Sequence, residues 1–235
     1  MENKYAQKFI EYLNNEFNPE TFYRELAHRF GQYGTSKGRP YSEIYAQIIL
    51  EYNVIEKLND IECVSRKDGY NPQSHTEVTV NKETNQIEKT FAKSLLNKTF
   101  DGFGHMMGFE IPLQDIRTDV GGDIDLFSYD PQSNNAYILE FKRPKATDTL
   151  LRCALEAYTY YKRVNHTGLL KSFNLTEENP TIIPAVLVFN TCQAAKEYYD
   201  LDNRPFLKQV LEQMNVRTFI IDISIIPEEY RILFK

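Results

Sequence analysis

The stretch from Gly121 to Lys142 constrains this chain more than any other, because it holds two runs of alternating chemistry separated by a polar turn. GGDIDLF is followed by the turn residues Asp130 to Asn135 and then by AYILEFK, the pattern of a β-hairpin whose side chains change character every second residue. Residues two apart on a strand share a face, so Asp123 and Asp125 point one way and Ile124 and Leu126 the other. Glu140 and Lys142 share a face in the same sense. If the two strands pair, two or three carboxylates and one ammonium converge on one side of a sheet. Such a group is either a metal site with a lysine beside it or an ion-pair cluster.

Each alternative has its own chemistry. A hard cation such as Mg²⁺ takes a few carboxylate oxygens, keeps several waters and completes its shell with substrate phosphates. An ion held that way generates a nucleophilic hydroxide and neutralises charge on a phosphoryl group, while a neighbouring lysine orients or deprotonates the water. These ingredients fit phosphodiester hydrolysis. A cross-strand ion pair on a solvated face, by contrast, is common and contributes only about 0–1 kcal/mol. The context favours the first alternative: Leu139 and Phe141 flank Glu140 in YILEF, an interior-strand pattern in which a charge needs a partner or a metal.

Asp125 in GGDIDLF, fifteen residues before Glu140 in ILEFKRP, resembles the bipartite signature of the PD-(D/E)XK, or restriction-endonuclease-like, nuclease superfamily. The resemblance implies an α/β fold, a mixed β-sheet core flanked by helices in the order helix, three meandering strands, helix, strand, over residues 87–235. It implies a metal-dependent nuclease with Asp125 and Glu140 as ligands of Mg²⁺, Mn²⁺ as a substitute, and Lys142 as the residue that orients the attacking water. Asp123 is the alternative aspartate ligand. Glu88, at the start of a helical run, matches a helical glutamate found in such enzymes and would be a further metal or water ligand; read from the residues alone, it is a charge favourable to the helix dipole. DNA is the expected polymer, with Arg143 and Lys145 after the motif and Tyr161 and Lys162 on the following helix as the groups expected to approach it. A non-catalytic nucleic-acid or protein binding module on the same scaffold is the alternative function. Double-strand cleavage often uses two copies, which leaves a homodimer, or a companion in a larger complex, open.

Ahead of this core, residues 1–60 read as a helical region and 61–86 as a connecting segment. Asn18-Pro19-Glu20 is a helix-start pattern leading into TFYRELAHRF, and Ser42 stands where it would cap a helix with Ile44, Ile48, Tyr52 and Ile55 as its apolar stripe. The GQYGTSKGR loop between them, with Lys37 and Arg39, either tracks a phosphate backbone or simply connects two helices. A short strand is expected at Glu77 to Val80. EKTFAKSLLNKTF reads as one helix, and FEIPLQDIRTD as the first strand of the core. After Pro144, Thr147 or Asp148 would cap TLLRCALEAYTYYKRV, with Leu151, Leu155 and Tyr158 facing the sheet. TIIPAVLVFN reads as a strand buried on both faces, followed by helices near Gln193 to Tyr199 and Pro205 to Met214 and a last strand in VRTFIIDIS.

Composition sets the remaining bounds. Cys63, Cys153 and Cys192 fit no metal or redox spacing, so reduced thiols and a cytoplasmic location are expected, and no long apolar run suggests a membrane span. The net charge of −6 argues mildly against a dedicated nucleic-acid binder, because phosphate contacts come from Lys and Arg; the local field of an acidic metal site weighs the other way.

Overall fold

The computed structural model describes residues 4–29, 34–36, 38–70, 87–113 and 122–225. Helix α1 (Lys4–Asn15) buries Phe9, Tyr12 and Leu13, a spacing that puts all three on one stripe. Helix α2 (Phe22–Arg29) starts later than the sequence suggests. Asn18 Oδ1 accepts the Glu20 N–H at 2.9 Å, so the side chain closes a local turn around Pro19 instead of capping the helix. The expected loop is partly a ladder, β1 (Thr35–Ser36) against β2 (Arg39–Pro40), and the Arg39 guanidinium lies 5.2 Å from the Phe206 ring centroid; Lys37 falls outside the described residues.

Helix α3 (Tyr41–Glu51) follows Pro40 with no side-chain cap; Ser42 lies inside it and donates to Glu197 at 3.0 Å. The helix buries Ser42, Glu43, Tyr45, Ala46, Ile48 and Ile49, a wider face than the expected stripe, because neighbours pack on more than one side of it. The chain then breaks at Asn53, which adopts a left-handed φ of 50°, before α4 (Val54–Lys57). Ile55 therefore belongs to a separate turn. In the connecting segment Val64 bridges Val164, while residues 71–86, with the strand expected at Glu77 to Val80, lie outside the described residues.

Helix α5 (Ile87–Leu95) stops short of the expected Phe100. Asn97 has a φ of 60°, a left-handed geometry that ends helices, and Thr99–Phe100 turns into strand β3. Strand β4 (Gly104–Pro112) precedes β5 (Asp123–Asp130) and β6 (Asn135–Lys142). Then come α6 (Leu150–Arg163), α7 (His166–Ser172), β7 (Thr181–Phe189), α8 (Gln193–Tyr199), α9 (Pro205–Gln213) and β8 (Arg217–Ile221). Thr149 caps α6, its Oγ1 accepting the Arg152 N–H at 3.3 Å, in place of the expected Thr147 or Asp148.

Among the described residues the main sheet has the order β3-β4-β5-β6-β7-β8. Pairing is antiparallel from β3 to β6 and parallel from β6 through β7 to β8. A parallel return from β6 to β7 needs a crossover, and α6 supplies it, lying against both strands. Helix α5 packs on the opposite face, where Phe91 and Phe141 each meet the edge or face of Phe189, with ring centroids 6.1 and 5.8 Å away. β6 and β7 are buried almost throughout, the expected result for strands covered on both faces. One hydrophobic cluster joins Phe9 and Phe22 of the front helices to Leu126, Val186 and Leu211 of the α/β part. No described helix is long and apolar enough to cross a membrane.

Candidate active site

The turn between β5 and β6 fixes which residues meet. Asp130 accepts the Gln132 N–H at 3.1 Å and the Ser133 hydroxyl at 2.6 Å, and Asn134 takes a φ of 50° to close the turn. Pairing then runs from Asp130 against Asn135 to Leu126 against Leu139. Continued by one residue, that register sets Asp125 against Glu140, and opposed residues of an antiparallel pair project on the same face. A slip of one residue would send Asp125 to the Phe91 side of the sheet.

At that point the ladder gives way to a side chain: the Phe141 N–H donates to Asp125 Oδ2 at 2.8 Å. Glu140 is 1 % exposed and Lys142 7 %, both facing α6, and they form an ion pair. Lys142 Nζ also lies 3.8 Å from Glu88 Oε1 of α5 and 3.8 Å from Glu156 Oε2 of α6. Glu88 is anchored by accepting the Arg143 N–H at 3.1 Å, just past the end of β6. Asp125, Glu140, Lys142 and Glu88 are therefore brought together. Asp123 stands exposed at the first residue of β5, outside this buried group.

Four carboxylates share this space with one ammonium and with Arg152, which also pairs with Asp148 and reaches Glu156 at 3.9 Å. Excess negative charge in a poorly solvated pocket disfavours ionisation. Burial first pushes the Asp125 carboxyl up to about 7, with Lys142 and the Phe141 N–H pulling the other way. Burial, then Asp125 and Glu156, push Glu140 well above the usual carboxylate range. Burial alone would lower Lys142, but Glu140, Glu156 and Asp125 outweigh it and hold the amine well above its ordinary value. The site thus favours protonated carboxyls beside a charged amine.

Glu140 Oε1 pairs with the Lys142 ammonium and the Glu140 carboxyl also meets Glu156, so this buried cluster gathers more oxygen donors, of the kind a hard cation takes, than one amine neutralises. Among the described residues no three acidic, His or Cys side chains form a ready-made ligand group. Mg²⁺ does not require one, since it is commonly held by one or two carboxylates with water and substrate phosphate filling the rest. The donor set of Asp125 and Glu140 fits that ion. No family model, curated protein or solved structure matches this chain.

The groups expected near nucleic acid stand at two places along the chain, Arg143 and Lys145 just past β6 and Tyr161 and Lys162 near the end of α6. Arg143 contributes its N–H to Glu88, and exposed Lys145 donates its N–H to Thr191 at 3.2 Å. Tyr161 and Lys162 stand in the last turn of α6, where Lys162 Nζ lies 5.3 Å from the Tyr158 ring centroid and both line a shallow hollow of about 290 Å³. Arg163, the last residue of α6, is buried and donates to Glu20 at 2.8 Å. Glu156 and Tyr160 were not singled out by sequence reasoning. The signal available was the spacing of Arg152, Glu156 and Tyr160, four residues apart along one line of the helix.

Proposed function

We propose that this chain is a metal-dependent nuclease of the restriction-endonuclease-like class, hydrolysing phosphodiester bonds with DNA as the expected polymer. The observation that carries the reading is the convergence of Asp125, Glu140 and Lys142 from two adjacent strands, with more carboxylates gathered than the one ammonium neutralises. The order α5, β3, β4, β5, β6, α6, α7, β7 supports it, since it contains the helix, three-strand meander, helix, strand order the resemblance implies, with the two-residue β3 and the short α7 added. Asp125 and Glu140 would hold Mg²⁺, or Mn²⁺ in its place, and the ion would supply charge neutralisation and an acidified water. Lys142, kept protonated by Glu140 and Glu156, is set to donate to a phosphate oxygen or to the attacking water and to offset the phosphate charge. Taking a proton from that water is not a role its charge state favours. Glu88 orients the strand end that carries Lys142, through the Arg143 N–H.

Replacing Lys142 with methionine keeps the stem and removes the ammonium. Lys142→Met is expected to lose Mg²⁺-dependent cleavage of DNA by at least about 10²-fold while retaining its circular dichroism spectrum. Cleavage at the wild-type rate would sink the assignment. The net charge of −6 and the scatter of Arg143, Lys145 and Lys162 favour a second reading, a non-catalytic binding module. Calorimetric titration of Mg²⁺ separates the two, because the module needs no ion at Asp125 and Glu140.

A further inference from the structure

A line of buried hydroxyls that the proposed reaction does not use leads away from the site into the front helices. Arg24 Nε donates to the Tyr23 hydroxyl oxygen at 2.7 Å, the hydroxyls of Tyr23 and Tyr160 are 3.2 Å apart, and Tyr160 donates to Glu156 Oε1 at 3.1 Å. A guanidinium only donates, and each hydroxyl has one proton to give. With the Tyr160 proton on Glu156, Tyr23 must supply the proton between the two tyrosines, while its own oxygen accepts from Arg24. The line therefore has one sense, from a half-buried cation on α2 to a buried carboxylate on α6. Bonds aligned head to tail in a poorly solvated interior strengthen one another.

The far end of the line touches the reacting centre. Glu156 Oε2 lies 3.8 Å from Lys142 Nζ and 3.9 Å from Arg152, the carboxyl also meets Glu140, and the bond from Tyr160 holds its other oxygen, Oε1. Burial, then the charge of Glu156, hold the Tyr160 hydroxyl well above its ordinary value, which keeps its proton available to donate. Gly122, just ahead of the aspartates, lets the ring in: a Cβ there would stand 2.9 Å from the Tyr160 hydroxyl.

We propose that Glu156 is a positioning residue for Lys142, and that the Tyr23–Tyr160 hydroxyl pair, half of it supplied by α2, sets where Glu156 stands. This deepens the nuclease reading and rests on it for the role of Lys142. It makes the front helices a working part of the site.

The test uses Tyr160→Phe, Tyr23→Phe and Glu156→Gln in the full chain, each conserving volume. Two quantities are read: steady-state cleavage of DNA with Mg²⁺ or Mn²⁺, and acetylation of Lys142 by acetic anhydride, mapped by mass spectrometry. Tyr160→Phe is expected to lower kcat on the order of 10-fold with KM and thermal midpoint little changed, Tyr23→Phe to lower it less, and Tyr160→Phe with Glu156→Gln to be no slower than Glu156→Gln alone. Lys142 should acetylate several-fold faster in Tyr160→Phe and Glu156→Gln than in the wild type, because its ammonium is no longer held against an oriented carboxylate. Unchanged labelling of Lys142 in both variants overturns the positioning role whatever the cleavage data show, and so do multiplicative losses of kcat in the double variant. A wild-type chain that cleaves with neither ion, beside variants whose Lys142 labelling rises as expected, sinks the nuclease reading and leaves the positioning contact standing.

Discussion

Asp125 is the residue at which burial and function pull hardest against each other. It is only partly buried by surface, yet its carboxyl is pushed up from 3.8 to about 7, because Glu156 and Glu88 add to the desolvation while only Lys142 and one N–H oppose it. A raised carboxyl means that between about pH 4 and 7 the folded chain holds a proton the unfolded chain has released, so stability falls as pH rises through that window and levels above it. Asp125→Asn cannot ionise and should flatten part of this slope, raising the thermal midpoint above about pH 7. Mg²⁺ added above that pH should raise the midpoint of the wild type and not of the variant. A midpoint-against-pH series with and without Mg²⁺ checks both, and identical profiles for the two proteins would show that Asp125 is not under this strain.

At the scale of elements, buried charge is tolerated where a helix end needs it. Glu43 is 3 % exposed, but both of its oxygens are used, accepting the N–H groups of Phe206 and Leu207 at 3.0 Å in the first turn of α9. A carboxylate there meets two of the unsatisfied donors of a helix start and the positive end of its dipole. Nearby, Glu197 accepts from the Leu150 N–H at 2.9 Å and from Ser42, and pairs with Arg204, so α3, α6, α8 and α9 are tied by one polar network. Glu43→Ala leaves the buried Leu207 N–H and the part-buried Phe206 N–H without this acceptor and should cost about 1–3 kcal/mol, read as a lower urea midpoint at unchanged slope. Glu43→Gln, which keeps one acceptor oxygen, should cost less.

For the whole molecule, the front helices and the sheet share one interior. Phe9, Phe22, Tyr45, Ile49, Val54 and Leu58 are all essentially inaccessible, and Tyr23 packs edge-on to Tyr160 with ring centroids 5.9 Å apart. Losing the burial of side chains of this size, at about 1.5–3 kcal/mol each, is comparable with the roughly 5–15 kcal/mol that holds a domain together. A chain beginning at residue 61 is therefore expected to lose cooperative unfolding and to aggregate, whereas the full chain melts in one transition by far-ultraviolet circular dichroism and by tyrosine emission alike. A soluble fragment with a sharp melt would show the front helices to be a separable layer.

The alternation in GGDIDLF and AYILEFK, the turn between them and the unbroken apolar run of TIIPAVLVF were local properties, so the hairpin, the interior strand and the nearness of Asp125, Glu140 and Lys142 could be read from the residues alone. Helix ends were read less well, because Asn18, Asn97 and Ser42 could each satisfy the backbone or a neighbour in more than one way, and packing chose among them. Glu156, Tyr160 and Tyr23 belong to elements that meet only after α6 crosses the sheet and α2 lies against it, across 137 residues of sequence in the case of the two tyrosines. Periodicity along one strand fixes which side chains share a face, and so determined the acids and the amine. What surrounds those groups, and hence their charge and orientation, depends on contacts between distant segments, which only the tertiary structure decides.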